Sequence, residues 1–329
     1  MPDTINFSEA IELTAESPRA VLLGNGFSIA QAGGNFDYAN LLEYSGLEPG
    51  SPIRNVFREL NTIDFEEVMH ALEQTSIIET AYDEEDRSVL FQNDANHLRE
   101  ALIHAVKEVH PAIQFDVPDE QHQACAAFLK QFANVFTLNY DLLLYWVILN
   151  AEERLHSDGF GLGDQVGGFR TFQEDAYCST YYLHGALHLF LNRQLETQKR
   201  IVTTATIIDD IAASIRHRQQ LPLYVAEGSS IQKKSKIYSI PYLRHCYEEL
   251  TSLSGSLFVF GHSVADNDEH IYDAIFESKI EKFVFCVHRP EDGWDGIRES
   301  LARYAERRDD IEFLYVDASS ANVWGEPDD

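Results

Sequence analysis

The chain has 329 residues, 44% of them hydrophobic, enough to bury a sizeable core in one large domain or two modest ones. Its 54 acidic residues against 25 basic give a formal charge of −29, which opposes a polyphosphate backbone and argues against DNA or RNA as a direct partner. No run approaches the ~20 apolar residues of a membrane helix, and the start MPDTINFSEAIEL lacks the regions of a signal peptide, so a soluble, cytoplasmic protein without a membrane partner is expected.

The first apolar run, residues 20–23, reads as a strand buried on both faces, and it enters the turn Gly24-Asn25-Gly26-Phe27-Ser28. From about 36 to 132 no strand is expected. Instead, Phe65, Val68, Met69 and Leu72, then Leu98, Leu102, Ile103 and Val106, fall at helical spacing around a solvated loop at Glu84, Glu85 and Asp86. Further runs rich in Val, Ile, Phe and Tyr follow at 134–138, 180–183, 221–225, 256–260, 282–287 and 311–316. Helix-like stretches lie between many of them, at 140–155, 240–253, 269–278 and 294–306. Strand alternating with helix predicts an α/β fold with a doubly wound, Rossmann-like parallel sheet and a helical insertion after the first strand. The division expected is 1–35 with 133–329 for the sheet domain and 36–132 for the insertion. Cys125, Cys178, Cys246 and Cys286 are far apart, with no CxxC pair, and read as core thiols.

In open parallel sheets ligands bind beyond the carboxyl ends of the strands. Four such ends carry reactive or polar residue types: the glycine turn at 24–28, Asn139-Tyr140-Asp141, His184-Gly185, and Gly261-His262-Ser263-Val264-Ala265-Asp266. Each has a plainer reading. Gly24 and Gly26 serve a tight turn, Asn139, Asp141 and Asp266 cap the helices that follow, and His184 is a core histidine. His184 and His188 stand four apart, but no third ligand is evident near them and His188 lies among Leu187, Leu189 and Phe190, so no metal is expected. Lys233, Lys234 and Lys236 form the one marked basic run, either a solvated lysine face or a guide for an anionic ligand or partner.

Taken in order, the glycine turn, TLNYD, LHG and GHSVAD resemble the sirtuin-like superfamily, over roughly residues 18–35 and 132–317. The matches are Gly24, Gly26 and Ser28, then Thr137, Asn139 and Asp141, then His184 and Gly185. The chain is more similar to the bacterial sirtuin-like proteins, several of which serve in antiphage defence, than to the deacylases. Asn25 replaces the middle alanine of the first turn, no arginine follows Phe36, and the four-cysteine zinc module is missing.

The resemblance implies an NAD glycohydrolase, with NAD as substrate, releasing nicotinamide and ADP-ribose. Asn139 would hold the nicotinamide ribose and orient a water, and His184 would be the general base, its ordinary pKa near ~6.5 leaving it largely neutral. Asp141 would position the carboxamide or support Asn139, and Phe36 would cover the nicotinamide side. Gly24, Asn25 and Gly26 would admit the pyrophosphate, with Ser28 starting the helix whose free N–H groups face it. Gly261, His262, Ser263 and Asp266 would meet the adenosine half, Asp266 at the ribose hydroxyls. An NADase of this kind implies control by a homo-oligomer or a regulatory protein partner. The alternative is a module that senses NAD or ADP-ribose without turnover.

Overall fold

The computed structural model describes residues 4–32, 41–108, 114–152, 155–161, 167–203, 206–218, 220–225, 229–292 and 294–325. Ten strands are present among them: β1 (Arg19–Leu23), β2 (Asn134–Thr137), β3 (Phe169–Thr171), β4 (Thr180–Tyr182), β5 (Gly185–Leu191), β6 (Thr197–Arg200), β7 (Pro222–Tyr224), β8 (Ser254–Phe260), β9 (Lys279–Val287) and β10 (Glu312–Asp317).

Six of them form one sheet in the order β10-β9-β8-β1-β2-β4, every neighbouring pair parallel. The apolar runs explain the order's centre. Val21, Leu22 and Leu23 of β1 and Leu257, Phe258 and Val259 of β8 are wholly buried, as strands must be when helices cover both faces of a sheet. Flanking helices include Phe7–Leu13, Asp119–Leu129, Pro241–Thr251, Glu269–Glu277 and Asp295–Ala305. The expected α/β, Rossmann-like parallel sheet is therefore observed.

Between β1 and β2 the described residues hold helices and no strand. Phe65–Ala81 and Glu85–Glu108 run as a hairpin of two long helices, with Phe65, Val68, Met69, Leu72, Leu98, Leu102, Ile103 and Val106 buried as their spacing predicts. No helix among the described residues is long and apolar enough to cross a membrane. Cys125, Cys246 and Cys286 are buried free thiols, and Cys178 is half-buried.

The run at 221–225 departs from expectation. Its core, β7, joins an antiparallel sheet in the order β3-β6-β5-β7 rather than the parallel one. A short apolar run has the same appearance whichever sheet it enters. The chain passes from the first sheet to the second at Leu183-His184, directly between β4 and β5. Gly185 makes that crossing possible: its φ is +74°, and a Cβ there would lie 2.1 Å from the Leu223 carbonyl oxygen.

Candidate active site

A cleft of 1160 Å³ opens beyond the carboxyl ends of the parallel strands. Its wall includes Asn25 and Gly26 after β1, Asn139 and Tyr140 after β2, His184 after β4, Gly261, His262 and Ser263 after β8, and Arg289 after β9. Strand β1 sits between β2 and β8, so the connections leave it on both sides and the loops splay apart there, which is where a doubly wound sheet forms its crevice.

The glycine turn is built first against the β8 loop. Gly24 N–H donates to the Phe260 carbonyl (2.9 Å) and Gly26 N–H to the Gly261 carbonyl (2.8 Å). A Cβ on Gly24 would stand 2.6 Å from Gly261 O, and one on Gly26 2.7 Å from Gly261 Cα. The glycines therefore let two backbones touch, and this contact, rather than an open phosphate cradle alone, accounts for them. The helix that follows spans Asn25–Ala32, so Ser28 is inside it and does not start it. Two amides of its first turn are already used: Gly26 N–H bonds Gly261, and Phe27 N–H bonds the Gly24 carbonyl (3.0 Å). Ser28 is fully buried, and its hydroxyl turns inward, donating to Asp141 Oδ2 (2.6 Å).

The same hydroxyl accepts from Asn139 Nδ2 (3.0 Å), whose second N–H reaches the Gly24 carbonyl (3.0 Å). A carbonyl oxygen can only accept, so the orientation of the Asn139 amide is fixed. Both its N–H groups are spent on the fold, and its Oδ1 remains for the cleft. Asp141 lies behind this pair, away from the cleft wall. Its Oδ1 accepts the N–H (2.7 Å) of Leu143, the first residue of the helix Leu143–Asn150, while its Oδ2 anchors Ser28 and the N-cap position itself is Leu142.

His184 meets partners that no local spacing suggests. Its Nε2 lies 3.3 Å from His270 Nε2 and 3.9 Å from Asp268 Oδ1. Asp268 Oδ1 accepts from Lys233 Nζ (2.8 Å), and Oδ2 faces His262 Nε2 (3.1 Å). His262 Nδ1 accepts Val264 N–H (2.9 Å), so its hydrogen is on Nε2 and is donated to Asp268. That bond helps to hold Val264, a β-branched residue, at φ +57°. Burial pushes the Asp268 carboxyl up, but the His262 donor and the Lys233 ammonium hold it well below the ordinary range. Burial lowers His184 to about 3 and His270 to about 4, and Lys233 adds to both effects while Asp268 opposes them. Both imidazoles are therefore neutral at pH 7.

His184, Asp268 and His270 each place one ligand atom within 4.8 Å of the others, a spacing open to a cation. The carboxylate is already committed, however, with one oxygen on Lys233 and the other on His262. The lysine ammonium supplies the positive charge of this cluster. His188 is separate from it: the residue is wholly buried, stacks on Tyr145 at 4.6 Å, and is lowered by burial to about 3.

The remaining expectations divide. Ser263 lines the cleft, but Asp266 points to solvent and pairs with Arg303 (3.1 Å), its side chain 88% exposed. Phe36 lies outside the described residues. The lysine run is not a solvated face: Lys233 is 6% exposed on Asp268, and Lys236 pairs with Asp64 (2.6 Å) and Glu66 (3.3 Å). Asp268, His270, Ser230 and Trp324 are not singled out by the sequence, and Lys233 is, but only as part of the basic run. Trp324 lines the cleft near the chain's end, its Nε1 donating to the Phe27 carbonyl (2.7 Å) and its ring 4.9 Å from Phe27's.

Among the solved structures similar to the chain are three Sir2 proteins. They are Sir2Tm bound to a propionylated peptide (14% identity, TM-score 0.38, 92% of this chain and 98% of that one), a Sir2 mutant with a p53 peptide and NAD (12%, 0.33, 91% and 98%), and a mutant Sir2 homologue in complex with 2'-O-acetyl ADP ribose (12%, 0.38, 91% and 96%). These are loose superpositions at low identity. None of the curated proteins is significantly similar. A family model described as a domain of unknown function, DUF4917, matches residues 21–324, and the chain therefore belongs to the DUF4917 family.

Proposed function

We propose that the cleft binds NAD and hydrolyses its nicotinamide–ribose bond, releasing nicotinamide and ADP-ribose. The observation that carries this reading is the pairing of Asn139 and His184 on one cleft wall, each polar, nearly buried and immobilised by distant parts of the chain. Their sequence context, TLNYD and LHG, resembles that of sirtuin-like proteins.

Cleavage develops positive charge on the ribose, through an oxocarbenium-like transition state. Nicotinamide leaves as a neutral molecule, so the site need not protonate it. It must instead hold the sugar, stabilise it with an oxygen, and deprotonate a water. Asn139 Oδ1 supplies a fixed acceptor for the ribose or the water. Neutral His184 accepts the water's proton.

The cleft has the size for such a ligand, at or above the roughly 300–1,000 Å³ of small-molecule sites. The side-chain oxygens of Asn25 and Asn267, both on its wall, are buried with no protein partner, which suits hydrogen-bonding to a ligand. Arg289 lines the same cleft from the turn after β9 and offers a cation for a phosphate in an otherwise acidic protein.

The wider role we infer is a regulated defence effector, because unrestrained NAD hydrolysis would exhaust a cell. Nicotinamide release from NAD by the purified protein, measured with NAD binding for the wild type, Asn139→Ala and His184→Ala, tests the reading. Turnover lost in both variants with binding kept within about threefold supports hydrolysis. Binding without turnover in all three favours the sensor, and absence of both refutes an NAD site.

A further inference from the structure

We propose that His270 and Ser230 extend His184 into a proton path, which carries the proton taken from the attacking water out of the cleft. This rests on the hydrolase reading above for its substrate, but the path itself is a property of three side chains.

His184 is 5% exposed and His270 1% exposed. Their facing Nε2 atoms, 3.3 Å apart, can share a single hydrogen only if one ring donates and the other accepts. On the far side, His270 Nδ1 lies 3.1 Å from Ser230 Oγ, which also accepts His270 N–H at 2.8 Å. Ser230 is half-buried at the start of the helix Ser230–Ser239, next to exposed Ser229. The line therefore runs from the cleft wall through the core to the edge of solvent.

Two hydrogen placements satisfy both side-chain contacts of this line. In the first, His184 Nε2–H donates to His270 Nε2, and His270 Nδ1–H donates to Ser230, leaving His184 Nδ1 as the free base. In the second, Ser230 donates to His270 Nδ1, His270 Nε2–H donates to His184 Nε2, and His184 Nδ1 carries hydrogen. One concerted shift converts the first into the second. A water in the cleft loses a proton to His184 Nδ1, the Nε2 hydrogen passes to His270, the Nδ1 hydrogen passes to Ser230, and the serine's own proton leaves to solvent. The hydroxide's electron pair forms the new bond to the ribose carbon as the bond to nicotinamide breaks. Both rings are neutral before and after, so neither has to store a charge beside Lys233.

His270 acts through His184 and is a positioning residue; its test must separate proton passage from mere support. His270→Gln keeps an N–H that can reach His184 Nε2 but cannot accept a proton on one side and release it on the other. We expect kcat for nicotinamide release to fall about 10²-fold with KM changed less than threefold, and Ser230→Ala to fall by less. Wild-type rate in His270→Gln, or kcat and binding lost together, overturns the proposal. A second readout needs no turnover: nitrogen NMR of the full protein with labelled histidine at pH 7. One hydrogen shared between the two Nε2 atoms, lost in His270→Gln, supports the path even if the wild type proves inactive and the hydrolase reading falls. A doubly protonated ring, or one zinc ion per purified chain that His270→Gln no longer retains, overturns it.

Discussion

Replacing Lys233 with methionine keeps most of the side chain's bulk and removes one buried charge. The ammonium sits 2.8 Å from Asp268 Oδ1, with side-chain exposures of 6% and 15%. At an effective dielectric of about 20 the gross attraction is roughly 6 kcal/mol, most of it offset by the desolvation of both ions. Breaking such a pair one-sidedly is another matter, because the carboxylate stays behind with only His262 as its donor. We expect Lys233→Met to cost about 3 kcal/mol at pH 7. Asp268→Asn should cost a similar amount, for it strands the ammonium. The double variant removes both charges and should lose well under the sum of the two singles, leaving a coupling of at least ~2 kcal/mol. Urea denaturation of the four proteins measures all these terms. A single-variant loss below ~1 kcal/mol, or strict additivity in the double variant, would refute the assignment of this lysine as the cluster's counter-charge.

Two further predictions concern stability. Gly185→Ala combines a left-handed backbone with a clash on Leu223 and should cost at least ~3 kcal/mol, whereas Gly50→Ala, at φ +80° with open space around it, should cost only about 1 to 2 kcal/mol; equal losses in thermal melts would remove the steric argument. His184, His188 and His270 have native pKa values of about 3, 3 and 4, below the unfolded value near ~6.5. The unfolded chain therefore binds more protons as pH falls through 6.5, and the stability these residues contribute, complete above that pH, is lost towards pH 4. Between pH 7 and 5 this amounts to roughly 2 kcal/mol for each histidine, and an unchanged or higher urea midpoint at pH 5 would contradict it.

Much of the sheet was legible because buried parallel strands are apolar runs: those of β1, β2, β4, β8 and β9 stand out between polar turns, and the half-buried edge strand β10 still carries the run FLYV. Strands β3, β5 and β6 were not. FRT and TQKR are too short and polar, and GALHLFL follows its turn so closely that it reads as a continuation of the histidine loop. At the site, Asn139, His184 and the Gly261 turn are visible because each follows a strand. Lys233, His270 and Ser230 come from helices and converge only in three dimensions. Asp268 could have been found: in GHSVADNDEH two aspartates compete, and the single turn of 3₁₀ helix at Asp266–Asp268 sends the second inward and the first to solvent. Ser28 illustrates the opposite error: expected to start the helix, it lies inside Asn25–Ala32 with its hydroxyl on Asp141.

The helix Ser230–Ser239 has charged or polar commitments in two directions. Ser230 and Lys233 hold His270 and Asp268 beside the cleft, while one turn further Lys236 grips Asp64 and Glu66 at the head of the long helical hairpin. A rigid rod gripped at two points works as a lever. Displacing the hairpin's head by a few tenths of an ångström would shift the atoms that fix His184's partners, and a ligand that favours one setting of those partners must favour the matching hairpin position by the same free energy. The hairpin and the cleft are thus linked through the stretch from Ser230 to Lys236 of one helix, without any need for the sheet itself to move.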